Sequence, residues 1–345
     1  MQEVETPLLE IRDLHLGMRS YEGEAHVLNG VNLTIRRGEI WGLAGETGCG
    51  KSLTGLSISR LITTPPGRYM GGEIRFQGRD LLPLGEPDMR KLRGRHIGMI
   101  FQDPSTNLNP VLRIGDQVTD VALQVASHSP ELFGLVAGAS RSQVRQAARA
   151  KAIEMLERVG ITNAAQRARD FPHQFSGGMR QRVLIAMALV GEPELLIADE
   201  PTTALDVTLQ AQILQLLRDL VASSNTSVLL ITHNLGVVAQ ICSHVAVMYA
   251  GHIVESGRTA EVLGSPAHPY SRALLAALPK AGVARGQLAN LPGRVPSLVH
   301  APPGCRFAPR CSRAVAQCSA QMPASARLSD SHQAACIRLD AEVSA

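Results

Sequence analysis

Apolar and polar residues alternate between Leu8 and Ile40, first in "LLEIRDLHL" and again in "VLNGVNLTIRRGEI". A period of two broken by glycine predicts short antiparallel strands with one buried face. The next run, "EIWGLAG", is apolar without alternation and closes on glycine, as a parallel strand covered on both faces would. From Ser52 the spacing becomes helical in "SLTGLSISRLI", while "GGEIRFQGRDL" predicts another hairpin and "HIGMIFQD" another strand. Between about Pro104 and Gly191 the character changes. "SRSQVRQAARAKAIEMLERVG" sets apolar residues at helical spacing with charges between them, which predicts a mostly helical insert, residues 104–190. Two apolar runs, "ELLIADEP" and "SVLLITHN", then flank a helical stretch, "LQAQILQLLRDLVASS". Strand–helix–strand order predicts an α/β fold with a parallel, doubly wound sheet. From Pro279 the chain turns rich in Pro, Gly and Ala and loses its period. We therefore expect a main domain over residues 1–278 and a small appendage over 279–345.

Composition narrows the picture. With 345 residues, 45% hydrophobic but only 3% aromatic, the core is mainly aliphatic. A net charge of +4 without a basic block gives no reason to expect nucleic acid. The start carries acids and no long apolar stretch, and no run approaches the length of a spanning helix. A chain that stays inside the cell is the expectation, and there clustered cysteines read as metal or redox ligands before they read as disulfides.

"GETGCGKS", Gly45 to Ser52, fits G-x-x-x-x-G-K-S/T between an expected strand and an expected helix. Gly45, Gly48 and Gly50 let the backbone wrap so that N–H groups point at phosphate oxygens, with Glu46, Thr47 and Cys49 between them. The helix N-terminus adds partial positive charge. Lys51 would reach the outer phosphates and the Ser52 hydroxyl would ligate magnesium. Cys49 needs only to be small there. "ELLIADEP" ends in Asp199 and Glu200 at a strand's carboxyl end, where Asp199 can hold magnesium and Glu200 can polarise water. "SVLLITHN" puts His233 at another strand end, and "FQDP" puts Gln102 where a strand leaves the sheet. In "FPHQFSGGMRQRVLIAMAL", Ser176 is a natural helix cap and Gly177 and Gly178 leave first-turn N–H groups bare. That is a second anion-binding helix end, and it makes sense if it serves nucleotide held by another chain.

Together these motifs resemble the ATP-binding subunits of ABC transporters from about Leu8 to Pro279: phosphate loop, "FQDP", "SGGMRQR", "LLIADEP", "TALD" and "THN" in order. The resemblance implies a P-loop ATPase binding ATP and Mg2+, with Ser52, Gln102 and Asp199 at the metal. It implies Glu200 as general base, His233 as switch and Gln102 as sensor of the γ-phosphate. Tyr21 is then the adenine-stacking aromatic, Ser176, Gly177 and Gly178 grip a partner's ATP, and Asp206 lies at the junction of a head-to-tail pair. Two departures stand out: Phe175 for the usual Leu and Asn234 for the usual Asp.

"FQDPSTNLNPVLRIGDQV", "SPAHPYSRALLAALP" and the tail from "LPGRVPSLVH" onward are similar to the dipeptide/oligopeptide/nickel importer branch. That branch implies two membrane permease subunits, a second and usually paralogous ATPase, an extracytoplasmic binding protein, and a place on the cytoplasmic face of the membrane. Nickel or another small solute is the alternative cargo, and a soluble ATPase of ribosomes or DNA the alternative class. The tail spaces Cys305, Cys311, Cys318 and Cys336 as C-x5-C-x6-C-x17-C, without the close pairs that structural zinc favours. A 4Fe-4S cluster, zinc and free or paired thiols remain open from spacing; the branch resemblance implies the cluster. Arg306 and Arg310 are expected to offset its charge.

Overall fold

The computed structural model describes residues 6–136, 138–203, 205–224, 226–278 and 291–339. The boundary expected at Pro279 therefore lies outside the described residues. In chain order the main elements are β1 (Leu9–Ser20), β2 (Gly23–Ile35), β3 (Ile40–Ala44), α1 (Lys51–Ile58), β4 (Gly67–Phe76), β5 (Ile97–Ile100), α2 (Ile114–Ala126), α3 (Arg141–Arg158), α4 (Gly177–Leu189), β6 (Leu195–Asp199), α5 (Val207–Ser224), β7 (Ser227–Thr232), α6 (Leu235–Ile241), β8 (His244–Tyr249), β9 (His252–Arg258), α7 (Pro269–Ala276), β10 (Ala326–Arg327) and β11 (Gln333–Ala334). They form two compact units, residues 1–83 with 230–345, and residues 84–229.

In the first unit β1 pairs antiparallel with both β2 and β4. The alternation read from the sequence is interrupted here: the β1–β2 register shifts between Ile11 and Leu14 and twice more by Gly17, and Asp13 takes a φ of 45°. Such bulges break the period of two without ending the strand, so β1 and β2 run longer than the alternation alone predicts. A second sheet has β3 parallel to β8, then β9 and β11 in antiparallel succession. Strand β3 is buried almost throughout, as its unbroken apolar run requires. The tail does not stand apart from this sheet: Gln333 and Ala334 pair with Ser256 and Glu255 of β9. Phe307 fills the space between, with ring centroids 5.2 Å from Tyr249 and 5.3 Å from Tyr270.

In the second unit β5 and β6 are parallel, Ile97 opposite Leu195 through Ile100 opposite Ala198, and every residue of β6 is buried. Helix α3 starts on a capping box, in which Ser140 Oγ accepts from Gln143 N at 3.3 Å and Gln143 Oε1 accepts from Ser140 N at 2.8 Å. It buries Ala148, Ala152, Met155 and Leu156, one helical stripe, as the sequence predicts.

Candidate nucleotide site

The first unit holds the glycine loop. Strand β3 ends at Ala44, and Gly45 turns the chain at φ 154°, where a Cβ would sit 2.2 Å from the carbonyl oxygen of Met248. No larger residue fits this approach. Helix α1 then opens at Lys51 with no side-chain cap, so its first N–H groups face the loop. Lys51 is 5% exposed, and its ammonium donates to the carbonyls of Gly45 at 2.8 Å and Glu46 at 2.9 Å. The ammonium thus already lies across the loop's mouth. Glu46, Thr47 and Gly48 form the accessible rim, Gly50 is buried, and Ser52 is half-buried on the first turn of α1. Cys49 is fully buried; burial pushes its thiol above the ordinary value, and Lys51 beside it offsets this only in part. Its sulfur packs against Gly45, where a Cβ would come within 2.9 Å of it. Tyr21 stands fully exposed in the turn between β1 and β2.

His233 is exposed immediately after β7. Asn234, next to it, caps α6: its Oδ1 accepts from Gly236 N at 2.9 Å. An Asp would use the same oxygen, so this departure preserves the local fold.

The second unit holds the acids. Asp199 is the last residue of β6, 6% exposed, and Glu200 follows at 9%. Glu200 takes a φ of 46°, a left-handed conformation uncommon outside glycine that sharply redirects the chain at the strand's end. Its Oε2 accepts from Gln102 Nε2 at 3.0 Å and from Thr203 Oγ1 at 2.8 Å. The structure thus joins Gln102 and Glu200, two residues that the sequence separates. It adds Thr203, for which the sequence offers no signal. On α4, Ser176 Oγ accepts from Met179 N at 3.3 Å. Ser176 and Gly177 are exposed and nothing would meet a Cβ on Gly177, whereas a Cβ on Gly178 would come within 2.9 Å of Leu209. Phe175 is 3% exposed with the Arg167 guanidinium 4.8 Å from its ring centroid, so its bulk is absorbed in packing. Asp206 caps α5, its Oδ1 accepting from Leu209 N at 2.9 Å.

Back in the first unit, Cys305, Cys311, Cys318 and Cys336 line one pocket with His268, Phe307, Arg313 and Arg338. Burial, more than their mutual charge, pushes the Cys305 and Cys311 thiols up. Among the described residues no group of three or more His, Cys, Asp or Glu side chains is gathered closely enough to hold a metal ion. Arg306 and Arg310 do not face this pocket as expected. Arg306 is 7% exposed and donates to the carbonyls of Ala250 and His26, and Arg310 engages Glu46. Buried guanidinium groups go where oxygens can match their N–H groups, and thiols match them poorly.

Comparison with known proteins gives the family and the fold. An ABC transporter family model matches residues 28–203, and a model of the oligopeptide/dipeptide transporter C-terminal region matches residues 254–318. The chain is 47% identical to the oligopeptide transport ATP-binding protein OppD of Bacillus subtilis over 95% of its own length and 87% of that protein's. It is 46% identical to the probable D,D-dipeptide transport ATP-binding protein DdpD of Escherichia coli over 95% of each. Among solved structures it is similar to the dimeric ATP-binding cassette MJ0796 bound to ADP and phosphate, with TM-score 0.60 and 27% identity over 73% of this chain and 98% of that one. It is also similar to cbiO1 of Clostridium perfringens, TM-score 0.59 and 27% identity over 76% of this chain and 92% of that one.

Proposed function

This chain belongs to the ABC transporter ATP-binding family and is an ATPase of that kind, and on that premise we propose that it powers the uptake of di- and oligopeptides through membrane permease subunits. The observation that carries the cargo is the second family match: residues 254–318 fit the C-terminal region of oligopeptide/dipeptide transporters, beyond what any ABC cassette requires. No helix among the described residues is long and apolar enough to cross a membrane. Two permease subunits, a second ATPase chain and an extracytoplasmic binding protein complete the assembly, with this chain at the cytoplasmic face.

The proposed chemistry follows from the residue types. Gly45 to Ser52 cradle the phosphates of ATP, with Tyr21 against adenine. Lys51 moves from the loop's carbonyls to the outer phosphates. Ser52, Asp199 and Gln102 would hold magnesium, which would neutralise charge on the transferring phosphoryl group. Glu200 takes a proton from the attacking water, and His233 orients the γ-phosphate. Ser176, Gly177 and Gly178 offer bare N–H groups to ATP bound by the second chain, with Asp206 at that junction. Hydrolysis removes the group both chains hold, and the pair opens.

For the tail we propose a 4Fe-4S cluster on Cys305, Cys311, Cys318 and Cys336. The four thiols line one pocket without closing on a single ion, and a cube spreads its ligands wider than a single zinc ion does. Its part is structural: four bonds staple a segment poor in core residues. Anaerobically purified protein should be brown with about four irons per chain, and Cys311→Ser should lose both colour and iron. Colourless protein with stoichiometric zinc would overturn this.

The transport reading is tested by reconstituting the chain with its permeases and binding protein in vesicles. ATP-dependent uptake of labelled dipeptides, abolished by Lys51→Ala, is the expected result. Uptake of chelated nickel without peptide uptake would select the alternative cargo, and co-purification with ribosomes or DNA instead of permeases would discard import.

A further inference from the structure

We propose that Arg310, in the cysteine-rich tail, is a positioning residue of the nucleotide loop: it clamps the Glu46 carboxylate and so allows the loop to accept a triphosphate. The proposal rests on the reading of Gly45 to Ser52 as the ATP phosphate loop. Glu46 is the second residue of that loop, an acid set among N–H groups suited to phosphate oxygens. Left unmatched, its charge would oppose the ligand the loop is built to hold.

Arg310 matches it with a fork. Nη1 donates to Oε2 at 2.6 Å and Nη2 to Oε1 at 3.0 Å, and the Arg310 side chain is only 6% exposed. The remaining N–H groups fix the fork from outside the loop. Nε donates to the carbonyl of Pro292 at 2.9 Å, Nη2 to that of Leu291 at 3.3 Å, and Nη1 to the Tyr249 hydroxyl at 3.3 Å. Those bonds use the five donors of a guanidinium; an ammonium has three and no plane. The same residue is anchored a second time through its backbone, since Glu46 N donates to the Tyr270 hydroxyl at 2.9 Å. Carboxylate and amide of one loop residue are therefore both held by side chains far along the chain. One of them directly precedes Cys311, in the short helical turn Ala308–Arg310. The ordering of the tail is thereby felt at the loop.

The test is equilibrium binding of a fluorescent ATP analogue to the full chain, with KM and kcat for ATP hydrolysis. At an effective dielectric near 20, an unmatched carboxylate within about 8 Å of a triphosphate weakens binding by roughly tenfold or more. Arg310→Gln should therefore raise Kd and KM by about that factor and change kcat by less than about threefold. Arg310→Lys, which keeps the charge but not the fork, should fall between and remains informative if the glutamine variant folds poorly. The double variant Arg310→Gln with Glu46→Gln removes both charges and should bind ATP about fivefold or more tighter than Arg310→Gln alone, a rescue that a purely structural role for Arg310 would not give. An unchanged Kd in Arg310→Gln, or a double variant as weak as the single, overturns the clamp. ATP binding that survives Lys51→Ala would instead overturn the loop reading itself, and the clamp with it.

Discussion

Glu200→Gln removes one charge and little else, which makes it the sharpest test of the proposed chemistry. The side chain is 9% exposed, and its Oε2 accepts hydrogen bonds from Gln102 at 3.0 Å and Thr203 at 2.8 Å. Glutamine has the same size, and its amide oxygen can take the place of Oε2 and keep both donors satisfied. The left-handed backbone at this position, φ 46°, strains glutamine no more than glutamate. Folding stability should therefore change by less than about 1 kcal/mol. What disappears is the ability to accept a proton. A positioned general base contributes about 10²–10⁴ in rate, or roughly 3–5 kcal/mol of barrier. Phosphate release by the reconstituted complex should fall by that range while the Kd for ATP stays within about threefold. With binding intact and cleavage blocked, light scattering in ATP and magnesium should show an accumulating ATP-bound pair. Turnover within about threefold of the parent, with no such pair, would refute Glu200 as the base. Thr203→Val removes one of the two donors and leaves the charge, so it should cost about tenfold or less in kcat.

Other expectations follow from packing and charge. Burial drives the imidazoles of His252 and His268 down to about 4, so both are neutral in the folded chain at pH 7. The unfolded chain takes up those protons near pH 6.5, so stability is full above that value and falls as the pH drops towards 4, by up to roughly 3 kcal/mol per histidine. Urea titrations at several pH values should show it, and His268→Asn, which keeps an acceptor at the cap of α7, should flatten the slope; an unchanged slope would argue against a buried neutral ring. Phe307→Ala should cost about 3–5 kcal/mol by chemical denaturation, because it opens a hole against Tyr249 and Tyr270, and a loss below about 1 kcal/mol would mean the tail packs less tightly than its ring contacts imply. Gly45→Ala drives a methyl into the Met248 carbonyl at a φ of 154°, and should abolish ATP binding through a displaced loop; wild-type affinity by fluorescence titration would count against that approach.

Which of these features the sequence discloses depends on how far apart the interacting residues lie. Strand β3 and helix α1 are legible because each carries its own period and the glycine pattern between them states the turn. The cap at Ser176 is legible for the same reason, since donor and acceptor lie within three residues; the capping box of α3 and the cap at Asn234 are equally local but emerge only with the helix starts. The bulges of β1 are not, since a residue that slips out of register leaves no mark in composition. The acid pair after β6 announces itself, but its link to Gln102 spans 98 positions and is invisible until the strands align. Arg310 is the extreme case. Standing beside Cys311, it reads naturally as a counter-charge for a thiolate cluster, yet its partner is Glu46, 264 positions away. Two oxygens in a plane match a guanidinium fork, and sulfur does not, so once the chain can reach a carboxylate the cysteines lose the competition. The pairing of β11 with β9 contributes to that reach, because it fixes Gln333 and Ala334 of the tail on the same sheet that carries β3 into the loop. The tail is thus bound to the loop-bearing part of the first unit by sheet, ring packing and ion pair together, and a disturbance among its cysteines has a short physical route to the glycine loop.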